Sequence, residues 1–463
     1  MDRSEAMRHQ DVGRLLLNFS LPAIIAMLVN SLYNIMDRIF VGRGVGALAI
    51  AGTTVGFPIM IILMAVSILI GVGATSLISI RLGEQNRRGA EKVVGNAMIM
   101  LIILPLICTL VYLTWAEPIL LAFGASPATL PYARDFMNII MAGAVFGSIS
   151  MGMNNFIRAE GNPRLAMYTQ LVAVGINLVL NYTFIFKFGW GIKGSALATV
   201  ISWCVSTVWI LSYFLSGRSV VRIRTENLRL RWPILSSIMA IGFASFAMQI
   251  AASVQQLILN KTLLSYGGDL ALSAVGILMS ISTLLIMPIL GLSQGAQPIV
   301  GFNYGARQYG RVKATLSKAI TVATIISLVG FIVIQIWPEP IAGLFSKGNQ
   351  ELTRLASHAL VVYFAALPVI GFQIIGSAGF YQAIGKAKEA MILSLSRQVL
   401  MFIPMLLILP HFWGIEGVWR TAPIADTLSS ILVGGFLVVE MRKMSVMQEQ
   451  VSSGDMNPIS EPQ

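Results

Sequence analysis

Charged residues are scarce in this chain of 463 residues. Asp, Glu, Lys and Arg together make 11%, against about 25% in soluble domains. Hydrophobic residues make 56%, and the mean hydropathy is +0.78. That balance excludes an ordinary soluble domain and places the chain in the membrane class. Cysteine is nearly absent. Cys108 and Cys204 each lie within an apolar run, so neither a disulfide framework nor a metal knot is expected. The three histidines, His9, His358 and His411, are scattered. With no His/Cys/Asp clustering, an enzyme is not expected, nor any cofactor or resident metal. A cleavable signal is not expected either. The apolar run after Arg14 is too long, and no small-residue cleavage site follows it. The net charge of +12 reads as Lys and Arg holding cytoplasmic loops inside, not as a nucleic-acid surface.

What is present is long apolar segments, twelve of them, each able to cross about 30 Å of hydrocarbon. They fall near 14–40, 47–81, 91–116, 130–157, 164–187 and 193–217, then 234–264, 270–303, 312–337, 353–384, 388–410 and 417–441. The two sets of six are copies. Trp190-Gly191-Ile192-Lys193-Gly194 returns as Trp413-Gly414-Ile415-Glu416-Gly417, and Gly73-Ala74 returns as Gly295-Ala296. A period this long is too large for a solenoid and fits the duplicated halves of a transporter. The expected units are a cytoplasmic N-terminus (1–13), a first lobe (14–217), a linker (218–232), a second lobe (233–443) and a mobile tail (444–463). Basic residues crowd the joins after even-numbered spans, so both termini are expected in the cytoplasm. Six spans per half then make the halves parallel repeats. Pro22, Pro288 and Pro368 lie within spans one, eight and ten, where they allow bending.

An ionisable residue inside a span is costly, so each one needs an account. Asp37, late in span one, shares a helix face with Asn30, Tyr33 and Asn34. It either lies hydrated at the outer interface or lines a cavity and exchanges a proton or binds a cation. Asn177 and Asn181 share a face of span five, and Thr199 lies in span six. All three can hydrogen-bond Asp37 or ligate a hard cation, although buried Asn also serves to hold helices together. Arg397 and Asp426 each lie nine residues into adjacent antiparallel spans, about 13 Å deep. They form a candidate buried ion pair, structural or substrate-related. Asn155, Gln249 and Gln256 are further cavity candidates. At an offset of about 224, Asp37 falls opposite Lys261, Asn177 opposite Met401 and Asn181 opposite Met405. The copies thus differ in their chemistry.

Several stretches in this order and spacing resemble the multidrug and toxic compound extrusion (MATE) transporters, over residues 10–443. They are Leu21-Pro22, Tyr33-Asn34-Ile35-Met36-Asp37, Asn155 through Gly161 and Asn177 through Asn181. Ser396-Arg397-Gln398 and Pro423 through Asp426 look like the MepA- and DinF-like bacterial branch. The resemblance implies an all-α membrane protein of twelve transmembrane helices, in two pseudo-twofold-related six-helix lobes around a central cavity. It implies a monomeric carrier in the bacterial inner membrane that exports drugs and organic cations against protons or Na⁺. Asp37 matches the essential first-lobe acid, and Asn177 and Thr199 match polar positions beside it. Asn181 departs from relatives that carry Asp there. Carboxylates that other members use in spans seven and ten are absent. Both departures favour protons over Na⁺ at Asp37. A lipid-linked saccharide flippase of the same superfamily is the nearest rival. It would want a basic cavity, and mid-span basic residues are scarce.

Overall fold

Backbone polar groups have no water to bond within hydrocarbon, so a span must satisfy them within its own helix. The computed structural model describes residues 3–346 and 349–453, without the side chains of a few positions, Asn34 among them. Among the described residues ten helices are long and apolar enough to cross a membrane, and two bent pairs complete twelve. They are α1 (Val12–Gly44), α2 (Leu48–Gly83), α3 (Arg87–Thr114), α4 (Leu130–Ala142 and Ala144–Ala159), α5 (Pro163–Lys187) and α6 (Gly191–Leu215). The second six are α7 (Trp232–Gly268), α8 (Leu270–Gly305), α9 (Tyr309–Ile336), α10 (Gln350–Tyr363 and Leu367–Ala383), α11 (Ala387–Trp413) and α12 (Ile415–Ser453). The fold class is the expected one. The two halves of α4 meet at 56° across Gly143, and those of α10 at 53° just before Pro368. Between α7 and α8 the chain turns at Gly268, whose φ of 62° suits glycine. α12 runs on to Ser453, and Met444 on it is buried. The segment expected as a mobile tail from 444 therefore begins as packed helix. Residues 454–463 lie outside the described residues.

Buried side chains fall into three clusters, and their places define the shape. One cluster joins both lobes through the helix halves nearest the termini. It includes Leu16, Ile70 and Ile78 of the first lobe and Ile238, Ile299 and Phe302 of the second. The other two clusters sit toward the far face, one in each lobe. Leu263, Leu360 and Trp419 mark the second lobe's cluster. Val41, Met137 and Ile192 mark the first lobe's. The lobes thus share a core on the termini face and part on the far face, leaving a cleft between them.

Glycines permit the shared core. A Cβ on Gly73 would lie 2.1 Å from the Ile238 carbonyl oxygen, and one on Gly242 would lie 1.8 Å from that of Leu69. Across the pseudo-axis, Gly295 meets Ser20 and Gly291 meets Ile24. Nearer the face, a Cβ on Gly83 would sit 1.9 Å from Phe302 O, and one on Gly305 would sit 2.1 Å from Ile80 O. These last two contacts are copies of each other, 222 positions apart (305 minus 83, 302 minus 80). For α1 and α7 the contacts give an offset of 218 instead (238 minus 20, 242 minus 24). Asp37 therefore falls opposite Gln255, not Lys261. From the paired contacts to its far end α7 is longer than α1 (268 minus 238 against 44 minus 20), and a single offset cannot serve both helices.

Candidate ion-coupling site

Three helices converge on Asp37. Asn177 and Asn181 stack one turn apart on α5, and Ser195 and Thr199 stack one turn apart on α6. Asn181 Nδ2 donates to Asp37 Oδ1 at 2.7 Å and to Asn177 Oδ1 at 3.0 Å. Ser195 Oγ donates to the same Asp37 oxygen at 3.3 Å. Asn177 Nδ2 donates to Thr199 Oγ1 at 3.2 Å, and Thr199 Oγ1 donates to the Ser195 carbonyl at 3.1 Å. Asn177, Asn181, Ser195 and Thr199 are buried, while Asp37 is partly exposed. Tyr33, one turn before Asp37, faces Thr199 and Asn177. Asn181 Oδ1 is buried and has no hydrogen-bond partner among the described residues.

The end of α5 fixes this arrangement. It widens into a π-helical turn, Thr183–Lys187, just after Tyr182. Phe186 in that turn packs edge-to-face on Phe40 with ring centres 6.0 Å apart, and Ile185 fills the space beside Gly44. The far end of α1 is thereby pinned to α5, three residues beyond Asp37.

In the second lobe Arg397 Nε meets Asp426 Oδ1 at 2.6 Å. Asp426 is 2% exposed, Arg397 29%. Arg397 sits in the π-helical stretch Ser396–Phe402 of α11, and Tyr363 of α10 lies beside the pair.

Other candidates fall elsewhere. Asn30 is exposed, two turns before Asp37, and the side chain of Asn34 lies outside the described residues. Asn155 is on the half of α4 near the termini face, where its Oδ1 accepts from Arg158. Gln256 donates to Asn260 on its own helix at 2.9 Å, and Gln249 lies two turns earlier on α7. Among the described residues, none of Asn155, Gln249 and Gln256 bonds to the Asn177, Asn181, Ser195 and Thr199 side chains around Asp37. Ser195 is the residue that the sequence reading missed. Its place one turn before Thr199 was the available signal. Among the described residues no group of three or more His, Cys, Asp or Glu could hold a metal ion.

The chain matches the family model described as MatE over residues 22–183 and 244–407. Multidrug export protein MepA of Staphylococcus aureus (strain N315) is 29% identical over 420 residues, covering 91% of this chain and 92% of that protein. MepA of Staphylococcus haemolyticus (strain JCSC1435) is 28% identical over 431 residues, 93% of this chain and 94% of that one. Among solved structures, MATE in the bent conformation matches with a TM-score of 0.90 at 26% identity, over 98% of this chain and 99% of that chain. An outward-facing MATE family transporter of the MOP superfamily matches with a TM-score of 0.89 at 27% identity, over 96% and 99%.

Proposed function

This chain belongs to the MatE family, and on that premise we propose that it is a secondary active multidrug exporter that exchanges cationic amphipathic compounds for protons at Asp37. The observation that carries the reading is the hydrogen-bond network around that one carboxylate. Two donors, Asn181 Nδ2 and Ser195 Oγ, favour its charged form. Its neutral form instead needs an acceptor for the new O–H. If the Asn181 amide turns over, its Oδ1, without a partner among the described residues, becomes that acceptor. The site can thus hold either protonation state, as a carrier alternating between loaded and unloaded forms requires. The cleft opens on the far face, which the basic joins of the sequence assign to the outside. Asp37 lies on the arm of α1 beyond the shared core, within reach of external protons. The drug acts only through its different affinities for the two lobe arrangements.

A Na⁺-coupled cycle is the second reading. The oxygens of Asp37, Asn177, Asn181 and Thr199 form an oxygen-rich set of the kind hard cations take. The flippase reading is weaker, because Arg397, the basic residue at mid-depth, already pairs with Asp426.

Drug efflux from proteoliposomes under separate proton and Na⁺ gradients tests this. The proton gradient alone should drive uphill transport, and Asp37→Asn should abolish it while the protein stays folded and monodisperse. Full proton-driven transport by Asp37→Asn would overturn the assignment. Drive by Na⁺ alone would select the second reading.

A further inference from the structure

The linker between the lobes is docked on its carrier lobe but leaves an apolar and basic stretch uncovered. Its first part is held by two buried carboxylates. Glu160 accepts from Ser219 Oγ, from the Val220 N–H at 3.0 Å and from the Val221 N–H at 3.4 Å. Glu91 pairs with Arg224 Nε at 2.8 Å. Further on, Gly95 of α3 packs directly against the Asn227 backbone, and the Arg231 N–H donates to Asn96 Oδ1 at 2.7 Å. The backbone of 219–231 is therefore fixed at both ends. Yet Leu230 is 52% exposed and Trp232 75% exposed. Arg231 is extended (φ −116°, ψ 112°), so Leu230 and Trp232 share a side. Arg229 and Arg231 are exposed and have no ion-pair partner among the described residues. Trp232 is the first residue of α7, where the chain enters the apolar span.

An ordered backbone that presents Leu-Arg-Leu-Arg-Trp at the foot of a membrane helix has an evident neighbour. Trp prefers the headgroup level, and arginine there is drawn to anionic lipid. The linker, residues 218–232, carries five arginines against one glutamate, and Arg224 already answers Glu91. We infer that Leu230, Trp232, Arg229 and Arg231 form a docking site for anionic phospholipid of the leaflet on the termini face. The apolar pair enters the acyl boundary, and the two guanidinium groups meet the phosphates.

The test uses the full-length transporter, purified and incubated with phosphatidylglycerol or phosphatidylcholine, with retained lipid counted by native mass spectrometry. Wild type should retain phosphatidylglycerol preferentially. Loss of two charges at an anionic surface corresponds to roughly thirty-fold weaker binding, so Arg229→Gln/Arg231→Gln should lose that preference. Trp232→Ala should weaken retention of both lipids. Arg442→Gln/Lys443→Gln, exposed on the termini-side end of α12, should retain lipid as wild type does. Equal phosphatidylglycerol retention by Arg229→Gln/Arg231→Gln and wild type would overturn the proposal. So would an equal loss in the Arg442/Lys443 control, which would mark a diffuse basic belt. The readout is lipid mass, so it stands whether or not the coupling role of Asp37 holds.

Discussion

Arg397 is met by a carboxylate, whereas Asp37 receives hydrogen bonds from an amide and a hydroxyl. The difference sets what each can do. A buried charge paired with its opposite is held in place, and removing one partner leaves the other uncompensated. Asp426→Asn should therefore cost about 3–5 kcal/mol in stability. The double replacement Arg397→Met/Asp426→Leu should recover most of that loss in chemical unfolding from mixed micelles. A double variant no more stable than the single would argue against pairing. Both sets of residues were legible in the sequence for geometric reasons. Asn177 and Asn181 lie four apart and so share a face, while Arg397 and Asp426 lie at equal depths on neighbouring antiparallel helices. Ser195 was not, because a serine inside an apolar helix ordinarily bonds its own backbone and carries no signal of a partner elsewhere.

Helices were legible wherever length and hydropathy alone decide them. Their breaks were legible only in part. Pro368 marked the bend in α10, since proline cannot continue the preceding turn's hydrogen bonds. The sharper bend in α4 falls at Gly143, which looks like any other small residue in an apolar run. Gly83 and Gly305 end α2 and α8, and each also faces a carbonyl of the opposite lobe. A glycine's purpose depends on how near another backbone comes, and composition holds no record of that. Since a Cβ at Gly83 would lie 1.9 Å from Phe302 O, Gly83→Ala must push α2 and α8 apart. Thiol labelling of a reporter cysteine at Ser76, from the termini side, should rise in Gly83→Ala. Unchanged labelling would mean that the helices relax locally without opening.

Across the whole molecule, one shared core and two separate ones make a hinge geometry. Transport by alternating access then requires the shared core to divide while the two far clusters approach. Gln297 Nε2 reaches across this core to Ser76 Oγ at 3.1 Å. A short reversible cross-link between Ser76→Cys and Gln297→Cys should arrest efflux, and reduction should restore it. Continued efflux by the cross-linked protein would place the moving boundary elsewhere. Other bonds must break in the same step. On the termini face Arg311 of α9 donates to the carbonyls of Met7 and Gln10, at 3.1 and 2.7 Å, ahead of α1. The mutual contact of Gly83 and Gly305 has a consequence of another order. It is self-complementary: the same glycine meets the same carbonyl on both sides of the pseudo-axis. A half-length ancestor with that glycine could have paired with its own twin, but any change in it would have struck both sides at once. Fusion freed the copies to diverge, so one could keep an acid where the other now holds Gln255, while the hinge they inherited stayed even-handed.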